Sequence, residues 1–152
     1  MGFAKGFALA NSARLIGVNT LDIIASAAGK MNTHLVAVCE AGRGRVCAAT
    51  YYYYSRRAWQ VKQEADIYNW EDLIEHAPRN SVFVGEISLD ARNLIRGSGK
   101  GHKVASPAQG ARRAANLAEI AIERLHKKDY DDAAALVPIY LREPGGGRKK
   151  AQ

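Results

Sequence analysis

A chain of 152 residues has the size of one ordinary domain, and 47% hydrophobic against 24% charged residues is a globular composition, which excludes a disordered or low-complexity chain. No apolar run approaches the ~20 residues that a bilayer crossing needs, and the first residues lack the basic, apolar, small-residue order of a secretory signal, so a cytoplasmic protein is expected. The formal charge of +7 favours acidic partners or RNA, but much of the excess lies at element ends and in the tail Arg148, Lys149, Lys150, where a solvated terminus accounts for it.

From Gly2 to about Ala13 the pattern is helical, with no strand before it and no capping residue to start it. Gly2, Gly6 and Ala10 recur every four residues as a stripe of small side chains, and Phe3 and Phe7 supply bulk on an adjacent face. Glycine weakens a helix by roughly 1 kcal/mol relative to alanine, so two in one short helix point to a compensating close packing. Leu15 to Val18 reads as a short apolar strand, and Asn19 or Thr20 caps a helix from Leu21 to Ala28 that Gly29 stops. His34 to Glu40 and Arg45 to Tyr54 form antiparallel partners about Gly42-Arg43-Gly44. That hairpin sets Cys39 opposite Cys47, and in a reducing compartment two thiols packed as small apolar groups are expected, with a disulfide or a metal pair as the minor alternative. Alternation along the second strand splits Tyr51 to Tyr54 into two pairs on opposite faces, ordinary sheet packing instead of a platform for nucleic-acid bases.

Ser55-Arg56-Arg57 makes a turn, and Trp59 to Ile67 gives a third antiparallel strand. Asn69, with Asp72 three residues on, caps a short helix that Pro78 closes, and Ser81 to Gly85 reads as a buried strand. A short helix from about Leu89 to Ile95 ends in Gly97-Ser98-Gly99-Lys100-Gly101, which lacks the spacing of a phosphate-binding loop and reads as a plain surface loop. One long helix is predicted from Pro107 to Lys127, with Ala111, Ala114, Ala118, Ile122 and Leu125 on one face. Asp129 to Leu136 gives a further short turn or helix, Pro138 to Arg142 an extended segment, and Pro144-Gly145-Gly146-Gly147 opens the tail.

The helix Phe3-Ala4-Lys5-Gly6-Phe7-Ala8-Leu9-Ala10, the join Leu15-Ile16-Gly17-Val18-Asn19-Thr20-Leu21, the hairpin Gly42-Arg43-Gly44-Arg45-Val46 and the closing Pro138-Ile139-Tyr140-Leu141-Arg142 follow one another in an order that resembles the TsaB family, also called YeaZ. The resemblance runs from Gly2 to about Pro144. It implies an α/β chain forming the C-terminal part of an actin-like ATPase (ASKHA or RNase H-like) fold, with an antiparallel hairpin and flanking helices. Residues 1–14 would then be a remnant helix of the N-terminal lobe, 15–144 the C-terminal α/β domain and 145–152 a flexible basic tail. Family members begin with an Ile-Asp-Thr strand and carry a Gly-Pro-Gly-Ser-Phe-Thr-Gly loop before this first helix. Neither is present, so about the first third of the expected protein is missing. The hairpin departs as well: where the family shows Asp-Ala-Arg-x-Gly-Glu-Val-Tyr, this chain has Glu40-Ala41-Gly42-Arg43-Gly44-Arg45-Val46-Cys47.

What the resemblance implies is a noncatalytic scaffold. Its partner TsaD binds the metal and transfers a threonylcarbamoyl group to the adenosine next to the tRNA anticodon, and TsaE, an ATPase, acts with the pair. The first helix builds a helical bundle with TsaD in the family, which assigns partner contact here to Gly2, Phe3, Gly6, Phe7 and Ala10. The competing reading packs the same face on the chain's own sheet. A helix deprived of the sheet it covers in relatives would also favour a homodimer.

For an enzyme the residue inventory is poor. His34, His76, His102 and His126 are scattered without metal-ligand spacing, no serine sits in a nucleophile elbow, and neither cysteine has a histidine placed by a readable motif, so no catalytic, metal or cofactor residue is assigned. The alternative function is a basic RNA-binding module acting without TsaD through Arg56, Arg57 and the tail.

Overall fold

The computed structural model describes residues 1–54 and 59–141; the turn read at Ser55-Arg56-Arg57 and the tail with Arg148, Lys149 and Lys150 lie outside the described residues. The elements are α1 (Gly2–Ala10), α2 (Thr20–Ala27), β1 (His34–Gly42), β2 (Arg45–Tyr53), β3 (Trp59–Tyr68), α3 (Trp70–His76), β4 (Val82–Gly85), α4 (Leu89–Gly97), β5 (Lys103–Val104) and α5 (Ala114–His126). They fall into two units, Asn19–Asn116 and, from both ends of the chain, Met1–Val18 with Leu117–Gln152.

The 19–116 unit is built on a five-stranded sheet in the order β3-β2-β1-β4-β5. β1, β2 and β3 are antiparallel neighbours, whereas β4 runs parallel to β1 and β5 parallel to β4. The hairpin between β1 and β2 turns on Arg43 and Gly44, both left-handed at φ 55° and 71°, the conformation whose twist matches that of the paired strands. A bulge between Glu40 and Gly42 absorbs Ala41 and leaves Cys39 paired with Cys47, as the spacing predicts.

Strand alternation then decides which side chains meet which helix. Leu35 and Ala37 of β1, Ala49 and Tyr51 of β2 and Val84 of β4 face α2, which inserts Leu21, Ile24 and Ala25. Val36, Val38, Val46, Ala48 and Phe83 form the opposite face, covered by Leu73 and Ile74 of α3 and Ile95 of α4. Each side chain of this size contributes about 1.5–3 kcal/mol when fully removed from water, so burial on both faces is what holds the sheet to its helices. The helices start where side chains accept the first free amides: Asn19 accepts from Leu21 N, Asn69 from Asp72 N, and Ser88, not singled out from the sequence, from Ala91 N.

Several sequence expectations are corrected. The loop after α4 leads into β5, a two-residue strand absent from the sequence reading. The long helix begins at Ala114, not Pro107. Residues 107–110 form a turn, closed by Gln109 N–H on Ser106 O and Gly110 N–H on Pro107 O, which presses Gly110 against Gly85. A Cβ on Gly110 would stand 2.6 Å from Gly85 N, closer than any side chain tolerates. Ala111 therefore falls outside the helix, and Ala114, Ala118, Ile122 and Leu125, which share a face of it, are exposed.

In the other unit α1 ends at Ala10 and not Ala13, because Asn11 breaks the helical geometry, Ser12 adopts φ 51° and Ala13 N–H reaches back to Ala8 O. The strand expected over Leu15 to Val18 reduces to one bridge, Leu15 with Asp131. Polar contacts fasten this segment instead. Asp131 accepts from Gly17 N–H at 2.7 Å, and Arg124 donates to Gly17 O at 2.6 Å while gripping both carboxylate oxygens of Asp129 at 2.7 and 3.1 Å. Gly17 also lies under Leu136, where a Cβ would approach Cδ1 to 2.9 Å.

Candidate functional site

The five residues assigned to partner contact lie on α1, and none of them is buried. Only Ala8 of this helix is buried, so the other side chains have no interior to enter. Phe3 and Phe7, one turn apart, stack on each other with ring centroids 6.4 Å apart and stand 88% and 58% exposed. Nothing lies within 4 Å of the position a Cβ would take on Gly2 or Gly6. Leu9, outside the assigned set, is 73% exposed and widens the apolar surface. Lys5 fixes the helix from its other side by donating to Ala134 O at 3.2 Å.

A second concentration of chemistry lies where the sheet changes direction, at the carboxyl ends of the parallel strands β1 and β4, the usual place for function in an open α/β sheet. Gly85, at φ 119°, lets β4 pass so close to β1 that a Cβ would fall 2.0 Å from Val38 O. The next residue, Glu86, accepts from Glu40 N–H at 2.8 Å through one carboxylate oxygen and from Arg112 at 2.5 Å through the other. Arg112 reaches it because Gly110 lies directly on Gly85. Beside this ion pair, on the α2 face, stand Cys39 and Cys47, both half-buried. The neighbouring Cys47 thiol holds Cys39 down at about 7 against burial and the Glu86 charge, with a smaller contribution from Arg112, and Cys39 in turn pushes Cys47 up. The sequence shows the register of the two thiols but carries no signal for Glu86 and Arg112, which are 26 residues apart and meet only through the two glycines.

Elsewhere the chemistry-bearing side chains serve the fold. Tyr51 donates to Asp22 at 2.8 Å under α2, Tyr53 packs edge-on against Trp59, and Tyr52 packs edge-on against Tyr54 on the opposite face, the two pairs that alternation predicts. His102 is buried edge-on against Phe83, and loss of solvent pulls its imidazole below the usual histidine range. A cavity of about 10 Å³ lined by Ala48, Thr50, Gln63, Tyr68, Leu73, His76 and Ala77 has room for a water, not a substrate. Among the described residues no three His, Cys, Asp or Glu side chains cluster as a metal site would require, and no helix is long and apolar enough to cross a membrane.

No protein-family profile and no curated protein matches this sequence. Solved structures do. The crystal structure of an uncharacterized protein with similarity to peptidase YeaZ, from Pseudomonas aeruginosa, superposes over 93% of this chain and 65% of its own length, at TM-score 0.69 and 16% identity. YeaZ from Pseudomonas aeruginosa superposes over 91% of this chain and 65% of its own length, at TM-score 0.70 and 15% identity. The chain therefore spans just under two thirds of the length of either structure. Its mixed α/β architecture is theirs, the actin-like fold that the resemblance implies.

Proposed function

We propose that this YeaZ-like chain is a noncatalytic scaffold of the TsaB type. It docks a TsaD-like catalytic subunit through α1, and with a TsaE-like ATPase supports threonylcarbamoylation of the adenosine next to the anticodon in tRNA. The observation that carries the reading is the bare aromatic pair Phe3 and Phe7 on a helix flanked by open glycines, in a chain with the YeaZ fold. Small residues let a second helix approach closely, and two rings that lose water in the contact supply the energetic centre of a small interface. The chemistry of the transfer belongs to the partner in this reading, and tRNA is met through it, in the cytoplasm.

The test is capture of the purified chain by its cognate TsaD-like subunit. Retention of the unmodified chain, and at least about a tenfold loss of affinity for a Phe3→Asp, Phe7→Asp double variant, is the expected result. Absence of binding by the unmodified chain, or equal binding by the variant, rejects the scaffold reading. The variant's circular dichroism serves as control, since both rings are exposed and their replacement leaves the interior intact.

A further inference from the structure

We propose that Cys39 and Cys47 form a peroxide-oxidisable dithiol, a modification site that closes reversibly into a disulfide across the β1–β2 hairpin. The two residues are direct partners in the antiparallel register. Facing residues in such a ladder have Cα atoms about 4.5 or 5.5 Å apart, and both spacings fall inside the range a disulfide spans. Both side chains pack on the same face of the sheet, so closure asks for side-chain rotation within an existing pair. Each is half-exposed, which admits a small oxidant.

The two thiols are unequal in the way the reaction requires. Cys39 is the nucleophile: its partner Cys47 favours its anion more than burial and the Glu86 charge oppose it, and Arg112 adds a smaller favourable share. Cys47 keeps its proton while Cys39 is charged. The Cys39 thiolate attacks one oxygen of hydrogen peroxide; an S–O bond forms, the O–O bond breaks, and the departing hydroxide takes a proton to leave as water. Cys39 is then a sulfenic acid, and the negative charge that held the Cys47 proton is gone. The Cys47 sulfur attacks the Cys39 sulfur and releases its proton, the S–S bond forms, and the sulfenic oxygen leaves as a second water. Two thiols lose two electrons and two protons, and one peroxide becomes two waters. A half-exposed disulfide of this kind is open to attack by a small thiol, which returns the pair to its reduced form.

Trypsin reads the state directly, because Arg43 and Arg45 lie between the two cysteines. After peroxide treatment of the intact chain and blocking of free thiols, the peptides carrying Cys39 and Cys47 are expected to remain joined, and to separate on reduction. Iodoacetamide at neutral pH is expected to modify Cys39 at least about tenfold faster than Cys47. Cys47→Ser should accumulate a dimedone-reactive sulfenic acid on Cys39, and Cys39→Ser should leave Cys47 unmodified. Peptides that separate without reductant once peroxide has consumed Cys39, or a Cys47 that outruns Cys39, overturn the proposal. The map of the unmodified chain decides the matter even if a variant fails to fold.

Discussion

The two units handle apolar surface in opposite ways. In 19–116, Phe83, Ile24, Leu35 and Ile95 are wholly enclosed, and helices cover both faces of the sheet. Among the described residues of the unit made from the chain's two ends only Ala8 is a buried hydrophobic residue, while Phe3, Phe7 and Leu9 of α1, Leu117, Ile122 and Leu125 of α5, and Val137, Ile139 and Tyr140 stand exposed. One unit is held by a packed interior and the other by a polar knot at Arg124, Asp129, Asp131 and the Gly17 backbone. What the contrast teaches is that burial is divided: apolar residues cohere in the sheet unit, and in the other they stand exposed.

The sharpest way to break that division is to remove one ring from each unit. Phe83→Ala opens a cavity in a closed interior and is expected to cost about 3–5 kcal/mol, seen as a large fall in the urea midpoint. Phe7→Ala removes an exposed ring and should change stability by no more than about 0.5 kcal/mol. Equal losses would mean that α1 is part of the core after all.

A smaller effect probes the knot. Arg124→Ala deletes a two-pronged grip on an exposed carboxylate and is expected to cost about 1 kcal/mol. Hydrogen exchange should quicken at the Gly17 and Asp131 amides, whose bonds to the Asp131 carboxylate and Leu15 O lose the support of Arg124, while β1 and β4 keep their protection. Uniform quickening throughout the chain would show that the units do not open separately.

The smallest effect concerns acid. Burial lowers the proton affinity of His102, so the unfolded chain takes up a proton below about pH 6.5 that the folded ring refuses. Stability from this group is therefore level above that pH and declines beneath it, until the folded ring protonates too. His102→Gln is expected to flatten that decline in thermal melts run between about pH 7 and 5, and an unchanged slope would place the acid sensitivity elsewhere.

Much of the sheet unit was legible because its signals are local. The hairpin centre at Arg43, the caps Asn19 and Asn69 and the stop at Gly29 each rest on a few adjacent residues, and each stands close to where the pattern puts it. What escaped depends on distant partners. β5 is two residues long, too short for any period, and exists because Lys103 and Val104 lie beside Val82 and Phe83. Leu15 to Val18 has the composition of a strand, but its neighbour is the bend at Asp131, which offers a single bridge. The helix at 107 failed because Gly110 is needed against Gly85, a steric demand made by a residue 25 positions earlier. Of the candidate sites, α1 was legible as a stripe of small and aromatic residues. The facing of Cys39 and Cys47 was legible too; their inequality was not, since it arises chiefly from the interaction of one thiol with the other in the folded hairpin.

The bond from Gly17 N–H to Asp131 joins residues 114 apart, and it has a consequence for biosynthesis. At about 5–20 residues per second, a ribosome needs roughly 6–23 s to make the acceptor after the donor has been polymerised. Throughout that interval the sheet unit is being completed while the opening segment has nothing to clasp. Phe3 and Phe7 are therefore made well before the polar contacts that fasten their unit can form.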